Sequence, residues 1–286
     1  MTELKFQQEQ RFRYNEAAHV TPNSELYKAQ DLVLNRNVAL KKVKITGNDR
    51  REIQKNYQRA MLEVGAMVQI AEMTTKIPNI FGTYYDEKKA ELYIIMQWIG
   101  GETLARKMER KVPPLQAVRW MEELCRILDI MGRKRFVHKD IKPENIMFDE
   151  NGELYLIDFN ITVSAPNQEE GTLHYRAPEM EYGSMTASRE KADQFAVGVI
   201  LYQQFTGRVP QRMIDYDIYD TAGLKWDFYT EPVQAAPETD RGMNRIITKL
   251  MAYNPGDRYR SYSELIRDLR DAEKRLRNAG RSQGRN

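Results

Sequence analysis

The chain has one cysteine, Cys125, in 286 residues. That excludes an internal disulfide, and a lone thiol inside a helical pattern reads as a buried core residue. Histidine is scarce too: three histidines and one cysteine argue against a structural zinc site. No apolar run approaches the roughly 18 residues needed to cross a bilayer. Met1 to Arg13 is polar and shows no secretory signal. Charge is nearly balanced, 44 Lys and Arg against 41 Asp and Glu, and a net +3 is too small to argue for a nucleic-acid partner. These absences leave a cytoplasmic location as the expectation, either for this chain alone or for the cytosolic domain of a longer, membrane-anchored protein.

What is present suits a folded, enzyme-sized chain. Apolar residues make up 41% and charged residues 30%, a globular rather than disordered balance, and 286 residues suffice for two lobes. Residues 1–13 read as a poorly held arm or short helix. Leu26 to Ile45 alternates and reads as a hairpin turning at Asn35-Arg36-Asn37. Residues 49–73 carry Ile53, Tyr57, Met61, Val64 and Val68 at helical spacing. Phe81–Tyr85 and Leu92–Met96 read as strands around Asp86-Glu87-Lys88-Lys89, and Gly100-Gly101 marks a joint. Helical patterns dominate afterwards: Leu115 to Gly132, the almost wholly apolar Ala192 to Gly207, Arg245 to Tyr253 and Tyr262 to Leu276. The fold class expected is α+β, with an arm at 1–13, a β-rich lobe with one main helix at 14–99, a larger helical lobe at 100–276 and a flexible basic tail at 277–286.

The chemistry concentrates in His138-Lys139-Asp140-Ile141-Lys142-Pro143-Glu144-Asn145 and Asp158-Phe159-Asn160. Asp140 can accept a proton from an attacking hydroxyl. Lys142 adds positive charge where a transferring phosphoryl group develops negative charge. Asn145 and Asp158 supply the hard oxygen ligands that Mg²⁺ prefers. The strands Ile146–Phe148 and Leu154–Ile157 flank a turn at Asp149–Gly152, so a hairpin would bring Asn145 and Asp158 to its open end.

These runs resemble the catalytic loop and metal motif of the protein kinase family, H-R-D-x-K-P-x-N and D-F-G. Val38-Ala39-Leu40-Lys41 resembles its V-A-I-K strand. Gly171-Thr172 through Ala177-Pro178-Glu179 resembles the end of its activation segment, and Asp193 to Gly198 the start of its central helix. Arg258 matches the arginine that pairs with the A-P-E glutamate. The motifs stand in family order over residues 14–270. The resemblance implies a bilobal kinase fold of the bacterial eukaryotic-type group, with Gly101-Glu102-Thr103-Leu104 after the hinge. It implies transfer of the ATP γ-phosphate to Ser or Thr hydroxyls of protein substrates, with autophosphorylation in a homodimer, and Mg²⁺ or alternatively Mn²⁺ as the ion.

The resemblance also implies roles for matching positions. Lys41 would hold the α- and β-phosphates, oriented by Glu63 of the following helix. Asp140 would orient the substrate hydroxyl and take its proton, and Thr172 would tie Asp140 to Lys142. Asp158 and Asn145 would hold the ions. Leu26 and Ala39 from above and Met147 from below would sandwich adenine. Met96 would be the gatekeeper, and Gln97 and Ile99 would offer backbone groups to the purine edge. His138 reads as a packed core histidine rather than a base.

Three departures stand out. The glycine positions of the phosphate-covering loop fall on His19, Thr21 and Ser24, with Pro22 lacking an N–H. Side chains of Thr21, Asn23 and Ser24 would then have to serve as donors, with His19 reaching phosphate. Asn160 stands for the glycine of D-F-G, and Lys139 for the arginine before Asp140, which cannot grip a phosphate bidentately. Lys139, a short activation segment and Glu169-Glu170 imply little dependence on loop phosphorylation. The glycine-free loop also supports a second reading, a pseudokinase that binds nucleotide or scaffolds without transferring phosphate.

Overall fold

A computed structural model describes residues 11–159, 174–181, 189–210 and 230–283. The chain divides into two compact units. The first holds the described residues up to Gly101 and those from Phe148 to Phe159; the second holds Glu102–Met147 and the described residues from His174 on.

The first unit is built on an antiparallel sheet of β1 (Phe12–Arg13), β2 (Ala17–Thr21), β3 (Ser24–Asp31), β4 (Arg36–Lys44), β5 (Ile80–Asp86) and β6 (Glu91–Gln97). Its order is β1-β3-β4-β6-β5, with β2 also on β3. Alternation along β4 sorts the side chains. Val38 and Leu40 join Phe12, Ala29 and Ile95 on one face. Val43 joins Leu92 and Ile94 on the other, where Ala60, Val64 and Met67 of helix α1 (Arg50–Ala71) cover them. Each fully buried Val, Leu, Ile, Met or Phe among them contributes about 1.5–3 kcal/mol. Helix α1 starts where Asp49 accepts the Glu52 amide at 2.8 Å, an N-cap bond.

The β3–β4 turn falls at residues 32–35, not at Asn35-Arg36-Asn37 as the pattern suggested. Asp31 decides this: its buried carboxylate accepts the Val33 and Leu34 amides at 3.1 and 3.2 Å. Asn35, at φ +47, completes the turn, and Arg36 and Asn37 enter β4. Asp31 also corrects the expectation of a loose arm as far as residue 13. Arg11 forks onto it at 3.1 and 2.8 Å, and Phe12 is only 6% exposed.

At the joint, Gly101 has φ +136, and a Cβ there would lie 2.0 Å from the Phe148 carbonyl oxygen, so only glycine fits. Strand β7 (Glu102–Thr103) then opens the second unit. Its helices are α2 (Leu104–Met108), α3 (Pro114–Arg133), α4 (Pro178–Glu181), α5 (Arg189–Thr206), α6 (Pro232–Ala235), α7 (Arg241–Leu250) and α8 (Tyr262–Gln283). Helix α5 is the core: Phe195, Val197, Val199, Ile200 and Leu201 are all 0% exposed. Gly198 allows close packing, since a Cβ there would meet Leu250 and Met251 side-chain atoms at 2.8 and 2.7 Å. Cys125, on α3, is fully buried, and burial pushes its thiol pKa up, so it stays a protonated core residue.

Helix α8 runs to Gln283, so residues 277–283 are helical where a flexible tail was expected. Arg277 reaches back to Glu273 at 2.6 Å, and Glu273 also accepts from Arg119 at 2.8 Å. The lobe boundaries shift as well. Strands β8 (Ile146–Phe148) and β9 (Leu154–Leu156) flank the predicted turn, but from Phe148 the chain belongs to the first unit. There the Leu156 amide donates to the Lys76 carbonyl at 2.9 Å and the Lys76 ammonium pairs with Glu153. Among the described residues no helix is long and apolar enough to cross a membrane.

Candidate active site

In the second unit the segment after α3 carries Asp140. Its backbone is hung from α5: Asp193 accepts the amides of His138 at 2.9 Å and Lys139 at 3.0 Å. Those two bonds hold Lys139 at φ +69, a conformation that costs energy for any residue but glycine. Asp193 is fully buried, and burial pushes its carboxyl pKa up to about 7 against the opposing pull of the two amides. His138 is 2% exposed, a core histidine as read from the sequence.

Asp140 is 8% exposed and held from two directions. The Lys142 ammonium lies 2.7 Å from its Oδ2. Asn145, at the end of the 3₁₀ turn Pro143–Asn145, donates its amide nitrogen to the Asp140 carbonyl at 2.8 Å and to Oδ2 at 3.0 Å. With its nitrogen committed, the amide oxygen is the group Asn145 could offer a cation. Elsewhere in this unit, Arg258 forks onto Glu179 at 2.6 and 2.7 Å, its side chain wholly buried, as the motif implied. Met147 is half-buried at the end of this unit's first stretch, Glu102–Met147. Thr172 and Asn160 lie outside the described residues.

In the first unit Lys41 sits on β4, opposite Leu26 of β3 and Ile94 of β6. Its ammonium reaches Asp158 Oδ1 at 2.5 Å. Asp158 has φ +54, a conformation Asp tolerates better than most residues, and Phe159 anchors it by packing against the core under α1. Glu63 lies mid-α1 between buried Ala60, Val64 and Met67, with Oε2 covered. Ala39 is directly opposite Met96, and both are buried, as is Ile99. The Gln97 amide already donates to the Asn79 carbonyl at 2.8 Å, which leaves its carbonyl as the group to offer a purine.

A protein kinase domain model matches residues 22–268. The chain belongs to the protein kinase family. It is 28% identical over 270 residues to a "probable serine/threonine-protein kinase" of Clostridium acetobutylicum, covering 91% of this chain and 39% of that protein. It is 27% identical over 262 residues to the serine/threonine-protein kinase PrkC of Bacillus subtilis, covering 87% and 38%. Against the serine/threonine-protein kinase PknD of Mycobacterium tuberculosis it is 28% identical over 259 residues, covering 87% and 37%. The chain thus spans well under half the length of these relatives.

Set beside the kinase pattern, the hairpin that stands at the glycine-rich loop's position is the local departure. β2 and β3 meet with Thr21 opposite Ser24 and only Pro22-Asn23 between them. No residue of this turn has positive φ, so it closes without glycine. The Thr21 and Ser24 hydroxyls were expected to face phosphate; they lie 2.8 Å apart and bond to each other, while His19 is exposed on β2. Two contributors escaped the sequence reading. The anchoring role of Asp193 had a signal, an acid inside an apolar helix that must find partners. Phe159 had none beyond its motif.

Proposed function

We propose that this chain is an ATP-dependent serine/threonine protein kinase, moving the γ-phosphate of ATP to Ser or Thr hydroxyls of protein substrates, a second copy of this chain among them. The observation that carries the reading is Asp140, gripped by Lys142 at 2.7 Å and by Asn145 at 3.0 Å. That arrangement fixes the orientation of the carboxylate whose proposed task is to orient a hydroxyl and take its proton. Lys142 keeps positive charge beside the departing phosphoryl group. Lys41 neutralises the α- and β-phosphates, with Glu63 as its orienting partner once nucleotide draws it from Asp158. Leu26, Ala39 and Met147 pack on adenine, Met96 limits the pocket's depth, and the Gln97 carbonyl and Ile99 backbone address the purine edge. Thr172 is assigned its tie to Asp140 and Lys142 from the motif alone.

Asp158 offers a carboxylate and Asn145 an amide oxygen, each a donor type that suits a hard divalent ion. An ion held by these two residues would take its other ligands from phosphate and water. Mg²⁺ held there, or Mn²⁺ in its place, would neutralise charge on the β- and γ-phosphates.

The glycine-free hairpin favours a second reading, a pseudokinase that binds nucleotide without transfer. Incubation with labelled ATP and Mg²⁺ separates the two. A kinase labels itself or a protein acceptor, and Asp140→Asn abolishes the label while ATP still binds. Label that is absent from wild type, or equal in both proteins, rejects transfer at Asp140.

A further inference from the structure

The hairpin that replaces the glycine-rich loop is restrained at three places. The Ser24 amide donates to Thr21 Oγ1 at 3.0 Å, and the two hydroxyls share a hydrogen bond at 2.8 Å. The Asn23 carbonyl accepts the Lys44 amide at 2.9 Å, which ties the turn to β4. Pro22 fixes its own φ and has no N–H to offer. A glycine-rich loop has the opposite character: it is free, approaches phosphate with its amides and loses that freedom when ligand binds. Here the Ser24 amide is already spent on Thr21, so the turn contributes shape more than donors. Leu26, two residues on, stands opposite Lys41 on β4, so a displaced turn would carry the strand that borders the phosphate-binding lysine.

We propose that Thr21 and Ser24 are positioning residues for the nucleotide: their side-chain clasp holds the covering hairpin in its working shape before ATP arrives. This rests on the kinase reading above. The clasp restrains the hairpin over any adenine nucleotide and is indifferent to the γ-phosphate. Losing it therefore weakens ATP and ADP alike and leaves the chemical step alone.

The test is steady-state transfer together with equilibrium binding of ATP and of ADP. Thr21→Val keeps the branched shape and removes the hydroxyl. It should raise KM for ATP and Kd for ADP by about fivefold each, close to 1 kcal/mol at about 1.4 kcal/mol per tenfold, the worth of one hydrogen bond, with kcat within about twofold. Thr21→Ser should restore both. The double variant Thr21→Gly, Ser24→Gly gives the loop residues that the family favours, yet should weaken nucleotide by at least as much as Thr21→Val. Ser24→Ala reads the same clasp from its other side should Thr21→Val misfold. Unchanged KM and Kd in Thr21→Val, or tighter binding in the glycine pair, overturns the clasp while the kinase reading stands. Wild-type protein that binds neither nucleotide overturns both together.

Discussion

Residues 138–145 and residues 19–24 meet their tasks in different ways. In the first segment Asp140, Lys142 and Asn145 keep the residue types of the kinase motif, and their geometry comes from buried partners: Asp193 beneath the backbone and Asn145 across it. In the second, all three glycine positions have changed, and a compact turn is still made by the Thr21–Ser24 bonds and the Asn23–Lys44 bond. The difference lies in what each side chain must do. A group that exchanges a proton or carries a charge at the reacting atoms has few substitutes. A segment that supplies shape can reach it by several sets of hydrogen bonds.

That contrast can be broken at either end. The largest effect belongs to the reacting group. Asp140→Asn keeps the size and the contacts to Asn145 but loses the base, and transfer should fall about 10²–10⁴-fold in a labelled-ATP assay with unfolding unchanged. A loss under tenfold would place Asp140 among the shape-giving residues. Next comes the buried fork in the same unit. Arg258→Ala strands the Glu179 carboxylate, only 7% exposed, and should cost about 3–5 kcal/mol of stability in urea unfolding. A cost below 1 kcal/mol would mean that the pair is dispensable.

Asp193 gives a third, graded effect. Its folded pKa is about 7 against an ordinary 3.8, because burial disfavours the charge. Between those values the folded state binds the extra proton, so this contribution to stability is fully present below the lower value and lost as pH rises through the higher one. Urea midpoints of the wild type from pH 4 to 7.5 should carry that downward component, at most about 1.4 kcal/mol per pH unit, and Asp193→Asn should lack it. Equal pH slopes in the two proteins would contradict the buried, proton-binding carboxyl. The smallest effect is at the hairpin, where Thr21→Val should cost about fivefold in nucleotide affinity.

Legibility in the sequence followed the same division. Lys41 with Asp158, and Asp140 with Lys142 and Asn145, stood out because the motif fixes residue type and spacing, and each group is brought together within its own unit. Helix α1 and the apolar run of α5 were readable from periodicity. The β3–β4 turn was misplaced because Asn35-Arg36-Asn37 resembles a turn locally, while the actual one is set by Asp31 capping two amides and pairing with Arg11, 20 residues away. The helical end of α8 was missed because its last turns look like a solvated, charged tail; Arg119 of α3 supports them through Glu273, 154 residues distant. The clasp between Thr21 and Ser24 was hidden because two hydroxyls in a turn look alike whether they face a ligand or one another.

On the proposed reading, Asp140 and Asp158 serve one phosphoryl transfer to a protein hydroxyl. Single-turnover transfer rates of Asp140→Asn, Asp158→Asn and the double variant test it directly. Groups that act as a unit give a double variant little slower than the worse single one. Losses that multiply across the pair, or transfer that survives both substitutions at the wild-type rate, would contradict it.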